Sequence, residues 1–285
     1  MDAITIRDLF DLTHSRAGEA LAAYTYPWEA LEHIGVIVLA VGASLDPASY
    51  DHPQEDVWIA KTATVYPTAS IAGPCVIGEH TEVRPGAFLR GNILVGDGAV
   101  VGNSSELKNC ILFDGVQVPH YNYVGDSILG YKAHMGAGAI TSNVKGDKRN
   151  VVVHGERDYE TGRKKFGALL GDFAEIGCNS VLNPGTVIGR DSQVYPLSCV
   201  RGVVPARSIV KGERGVFAKA RIWPRSKDET AGQGIRRWPT AHLRMHRKQQ
   251  TKTHPAQSEG CAGCALYRML CASGNSARAP VNRRR

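Results

Sequence analysis

Apolar residues recur along this chain at an interval that neither a helix nor a lone strand keeps. Stepping by six from Ile59 gives Ile59, Val65, Ile71, Ile77, Val83, Leu89, Val95, Val101, Leu107 and Phe113, all apolar. The residue four after each is mostly small, as at Ala63, Ala69, Thr81, Ala87, Ala99 and Ser105. The register returns at Leu129 and Met135, then at Leu170, Ile176, Leu182, Ile188, Val194 and Val200. A strict step of six departs from the helical period of about 3.6 and the strand period of about 2. It predicts an all-β parallel β-helix over 57–223, each hexapeptide supplying one short strand and one corner. Three hexapeptides then make a coil of about 18 residues, and the visible pattern amounts to roughly six or seven coils.

Ahead of the repeat, residues 5–45 read as helical, with Ile6, Leu9 and Phe10 on one face and Pro27 ahead of Trp28-Glu29-Ala30-Leu31 at a helix start. Residues 1–56 are therefore expected as an N-terminal helical segment that Asp46-Pro47 breaks. The hexapeptide register is interrupted at Pro119–Asp126 and, for longer, at the charged stretch Ser142–Ala168. Insertions in a repeat fold gather on one side and carry binding functions, so chemistry is expected there.

Composition changes this picture in one respect. The chain has 285 residues, 31 glycines, 7% aromatics and a formal charge of +7. Few aromatics and many glycines suit a solenoid of small residues and tight turns. The charge by itself would suggest nucleic acid, yet residues 224–285 hold 13 of the 34 Lys+Arg and only 3 of the 27 Asp+Glu, so residues 1–223 carry 21 against 24. The basicity belongs to a tail expected to be disordered, and nucleic acid is not expected as a partner. The longest apolar run, Ile34–Val41, is too short for a membrane span of about 20 residues, and no secretory signal opens the chain. Seven cysteines without small-domain spacing fit a reducing compartment, and the chain is expected to be cytoplasmic.

In a coil of about 18 residues, residues that far apart stack on one face. Arg90 and Lys108 are such a pair. Adjacent cations repel unless an anion bridges them, so the pair suggests a phosphate or carboxylate site, with two solvated surface charges as the alternative. His120 falls beside Glu106 and Lys108 of the preceding coil, where a carboxylate can fix its tautomer and hold it as a general base. A structural histidine is the alternative.

Three stretches carry a resemblance: Gly102–Asn109 (GNSSELKN), Pro119–Ser127 (PHYNYVGDS) and Met135–Asn143 (MGAGAITSN). Together they resemble the C-terminal acetyltransferase domain of the bacterial bifunctional N-acetylglucosamine-1-phosphate uridyltransferase/glucosamine-1-phosphate acetyltransferase. The run Thr161–Gly167 with Leu170-Gly171-Asp172 is closer to the related domains of archaeal sugar-1-phosphate nucleotidylyltransferases. The similarity covers about 57–211 of this chain. It implies a left-handed parallel β-helix, a homotrimer with active sites between subunits, acetyl-CoA as donor, and an amino-sugar 1-phosphate as acceptor.

By that resemblance His120 is the base, Glu106 the carboxylate that orients it, and Lys108 with Arg90 the sugar-phosphate clamp. Arg84, in an Arg-Pro-Gly, is a second match to the family's arginine. Tyr123 and Asn143 match sugar-contacting positions. Ala137 and Cys178 match the donor side, and Arg163, Lys164 and Lys165 are candidates for the CoA phosphates. His134 and Val144 stand at acceptor-site positions where relatives have Asn and Tyr, which bears on the sugar's identity. No uridyltransferase activity is expected, since residues 1–56 hold no Gly-rich phosphate loop and are too short for that domain. A non-catalytic sugar-nucleotide-binding scaffold is the alternative function. A zinc hydratase is disfavoured because Gly125, not histidine, lies five after His120, and no metal is expected. Cys261, Cys264, Cys271 and His254 in the tail form only a weak zinc pattern.

Overall fold

The computed structural model describes residues 3–212 and 215–219; the basic tail and its cysteines lie outside the described residues. From Val57 the chain winds as a parallel β-helix of three faces. Face one is an eight-rung ladder through Ile59, Ile77, Val95, Leu112, Leu129, Leu170, Ile188 and Val204. Face two runs through Val65, Val83, Val101, Val118, Met135, Ile176, Val194 and Val210. Face three runs through Ile71, Leu89, Leu107, Val124, Thr141, Leu182 and Val200. Most of these residues are fully buried and fill the prism. Small polar corner residues are buried with them because each finds a carbonyl on the next rung: Thr81 Oγ1 donates to Gly96 O at 2.7 Å and Ser105 Oγ to Val118 O at 2.9 Å. Antiparallel strands close both ends, Tyr50–Gln54 on Val57–Ala60 and Val216–Ala218 on Ser208–Val210.

Two expectations about register are corrected. Val95 stacks on Leu112, not Phe113, and Pro119–Asp126 is no interruption but part of the strands Gln117–His120 and Tyr123–Leu129. Both have one cause. The corner between faces three and one shrinks to a single residue at Asn109 and Asp126, each with positive φ (49° and 48°), so these coils are one residue shorter and the step of six loses phase. The chain leaves the ladder only between Thr141 and Ala168, in an insertion that includes a hairpin, Val152–His154 on Asp158–Glu160.

The N-terminal segment is less helical than expected. It holds α1 (Ile6–Leu9), α2 (Gly18–Leu21) and α3 (Ile34–Ala43), with 3-10 turns at Leu12–His14 and Pro27–Glu32. α3 buries Ile34, Ile37, Val38 and Gly42 and packs on face-one strands. Residues 9–16 run as a strap along the corner between faces one and two, where acidic side chains stack. Asp114 Oδ1 accepts Asp97 N at 2.8 Å, Asp97 Oδ1 accepts Glu79 N at 2.8 Å, and Asp172 Oδ1 accepts Tyr131 N at 2.9 Å. Gly96, just ahead of Asp97, leaves room for this, since a Cβ on it would lie 2.6 Å from both Asp114 N and Asp114 Oδ1. Arg16 bridges Glu79 and Asp97, both at 3.1 Å. The His14 ring stacks on Tyr131 with centroids 3.6 Å apart, and Asp172 Oδ2 accepts Asp11 N at 2.8 Å. The insertion joins the same segment through Tyr26, Trp28, Tyr159 and Phe166. Faces two and three, and the corner between them, remain for chemistry.

Candidate active site

Face three presents two outward columns. Phe88, Glu106 and Tyr123 form one; Arg90, Lys108 and Gly125 form the other. Arg90 and Lys108 thus stack one rung apart as the spacing predicted. Their partners differ. Arg90 Nη1 donates to Glu106 Oε1 at 2.6 Å, and its guanidinium lies 5.7 Å from the Phe88 ring centroid. Lys108 is half-buried and takes no ion pair among the described residues.

The expected contact between Glu106 and His120 is not made, because the guanidinium one rung away takes the carboxylate in a charge-assisted bond. His120 ends the face-two strand Gln117–His120 and stacks on Asn103. Its backbone N–H donates to Asn122 Oδ1 at 3.1 Å, and its exposed ring has no hydrogen bond among the described residues. Its carbonyl accepts Gly138 N at 3.0 Å, and Ala137 O accepts Asn179 N at 2.8 Å. Asn103, His120, Ala137 and Cys178 therefore occupy one corner column on successive rungs. The base candidate and both donor-side candidates come together, and the Cys178 thiol is exposed.

Tyr123 and Asn143 also meet. Asn143 Nδ2 donates to Tyr123 Oη at 3.2 Å and to Asp126 Oδ2 at 2.5 Å, and Asn109 Nδ2 donates to Asp126 Oδ1 at 2.9 Å. Gly125 makes room for this, since a Cβ there would lie 2.5 Å from the Tyr123 hydroxyl. Burial raises the Tyr123 pKa, and the Asp126 and Glu106 carboxylates add to it, so the phenol keeps its proton as a donor. Asp126 has no counterpart in the sequence reading, although it is buried and holds the start of the insertion against face three.

The remaining candidates scatter. Arg84 is ion-paired to Glu82 at 2.9 Å. Arg163 is held by Glu32 of the N-terminal segment, so it is not free for a CoA phosphate. Lys164 and Lys165 are exposed. His134, on face two, has Nδ1 2.8 Å from Glu175 Oε2; the two are ladder partners, 41 residues apart in sequence. The insertion between them hides the pairing from any count by sixes.

The C-terminal domain of GMPPB matches residues 71–157. The chain is similar to bifunctional sugar-phosphate enzymes. It is 31% identical over 169 residues to the bifunctional protein GlmU of Methanococcus aeolicus, covering 53% of this chain and 41% of that protein. It is 33% identical over 177 residues to the bifunctional sugar-1-phosphate nucleotidylyltransferase/acetyltransferase of Sulfurisphaera tokodaii, covering 55% and 43%. The chain thus spans less than half the length of these relatives. Among solved structures, the acetyltransferase domain of PglB from Neisseria gonorrhoeae, in complex with acetyl coenzyme A, covers 57% of each chain at 16% identity and a TM-score of 0.27. Among the described residues, no helix is long and apolar enough to cross a membrane.

Proposed function

We propose that the protein is an acetyl-CoA-dependent N-acetyltransferase acting on an amino-sugar 1-phosphate, working as a cytoplasmic homotrimer with sites between subunits. The observation that carries this is the corner column in which His120, Ala137 and Cys178 follow one another on successive rungs, beside the stacked Arg90 and Lys108. Lys108 binds the acceptor phosphate together with Arg90. Glu106 acts by holding that guanidinium rather than by orienting His120. Tyr123, fixed by Asn143, and His134 line the sugar, and Arg84 lies at the rim.

Acetyl-CoA lies along Ala137 and Cys178 with its phosphates toward Lys164 and Lys165. Gly136 and Gly138 spend their N–H groups on Ile176 O and His120 O, which leaves that of Ala137 for the thioester oxyanion. His120 takes a proton from the attacking nitrogen as the C–N bond forms, and the CoA sulfur leaves and is protonated. Similarity to the two bifunctional relatives supports the sugar-phosphate class.

A panel of acceptors tests the reading, with products followed by mass. Amino sugars with and without a 1-phosphate, and hydroxyl analogues, are offered with acetyl-CoA. Acetylation confined to amines and favoured by the phosphate is expected. Binding of sugar nucleotides with no transfer to any acceptor would favour the scaffold reading.

A further inference from the structure

Amide formation from an ammonium removes two protons from nitrogen. One must leave before attack, to free the lone pair, and one as the adduct collapses. In the balanced reaction, R–NH3+ and CH3CO–S–CoA give R–NH–COCH3, HS–CoA and H+, so one proton ends on sulfur and the other in solvent. His120 alone serves one of these transfers at a time.

A second imidazole stands on the next rung of the same face. His134 has Nδ1 2.8 Å from Glu175 Oε2. That contact ties Nδ1–H to the carboxylate and leaves Nε2 as the acceptor. The ring side chain is 36% exposed, so a proton taken on Nε2 can pass to water. Its other ladder neighbour is the neutral Gln117. The cation two residues ahead of it, Lys132 in the preceding turn, lies over the Tyr131 ring at 5.1 Å, and Glu175 pairs with nothing but His134 among the described residues. His134 and Glu175 each stand three residues ahead of a donor-side position, Ala137 and Cys178. At about 3.3 Å per residue this puts the pair within roughly 10 Å of the thioester slot. His120 stands three residues past Gln117, at the same distance and one rung away.

We infer that His134, oriented by Glu175, takes the first proton and converts the acceptor ammonium to the free amine, and that His120 takes the second and returns it to the CoA sulfur. This rests on the acyl-transfer reading above. His134 is then catalytic and Glu175 a positioning residue. The role predicts a pH signature that a structural pair would not give, because above the pKa of the amine, near 8 where electron-withdrawing neighbours lower it as in an α-amino group, solvent supplies the free amine unaided.

The experiment follows CoA release by the full chain with acetyl-CoA and glucosamine 1-phosphate, from about pH 6.5 to about pH 9.5. The His134→Asn variant is expected to lose roughly tenfold in kcat/KM at neutral pH, where solvent leaves only about a tenth of an amine of that pKa free, and to recover to within about threefold of wild type at the alkaline end. Glu175→Gln should show a smaller loss with the same recovery, and it decides the matter alone if His134→Asn does not fold. His120→Ala should stay low throughout. A loss in His134→Asn that is equal at all pH, or no loss, overturns the inference while leaving acyl transfer standing. If wild type releases no CoA, the acyl-transfer reading fails first and takes this one with it.

Discussion

Arg90 and Lys108 occupy equivalent places on successive rungs, yet only Lys108 is free to meet an anion without giving up a partner. Lys108→Met is expected to raise the KM for the phosphorylated acceptor by about tenfold or more, in line with loss of a charge-assisted contact, with kcat little changed. Glu106→Gln separates two roles for that carboxylate. If it holds Arg90, the variant shifts the acceptor KM severalfold and leaves the pH profile of kcat alone; a collapse of kcat would return Glu106 to His120. The stacked cations were legible in the sequence because the coil spacing between them is regular. The partner of Glu106 was not, since proximity along a ladder does not say which of two neighbours a carboxylate prefers. Asp126 was hidden because it and its two partners, Asn109 and Asn143, lie on three different rungs.

Among elements, the N-terminal segment is held in two ways, by buried polar groups under the strap and by the aromatic cluster that Tyr26 and Trp28 share with the insertion. Asp172 accepts from the backbone of Asp11 and of Tyr131 and from Arg190 at 3.0 Å while almost wholly buried. Burial raises its pKa, so the native state holds the proton more tightly than the unfolded chain. The stability this carboxyl contributes therefore rises as pH falls through that raised value. Asp172→Ala removes three acceptor bonds at once, and calorimetry should find it about 2–4 kcal/mol less stable at neutral pH. Trp28→Ala empties the centre of the aromatic cluster, at a cost of about 3–5 kcal/mol. It should also open the insertion to proteolysis within 144–165 while the ladder stays protected. The hexapeptide was legible because a repeated aliphatic column leaves a period. The strap leaves none: its grip is backbone groups and single polar side chains, each answering to a different rung.

At the scale of the whole molecule, the net charge of +7 misdescribes residues 1–223, since the excess lies in 224–285. Removing 224–285 should leave the catalytic constants within about twofold, because the side chains named for the site lie between Arg84 and Cys178. The site as described is open on faces two and three, which suits completion by a second subunit. Light scattering on the full chain should give a trimer, and a monomer that keeps full activity would remove the subunit boundary from the mechanism.

The central claim is that His120 does chemistry at the corner column it shares with Ala137 and Cys178. Thiol release from acetyl-CoA in the presence of glucosamine 1-phosphate, compared between the wild-type chain and His120→Ala, tests it most directly. A fall of roughly 10²- to 10⁴-fold in the variant, with its oligomeric state unchanged, is the predicted result. Undiminished CoA release by His120→Ala would contradict it.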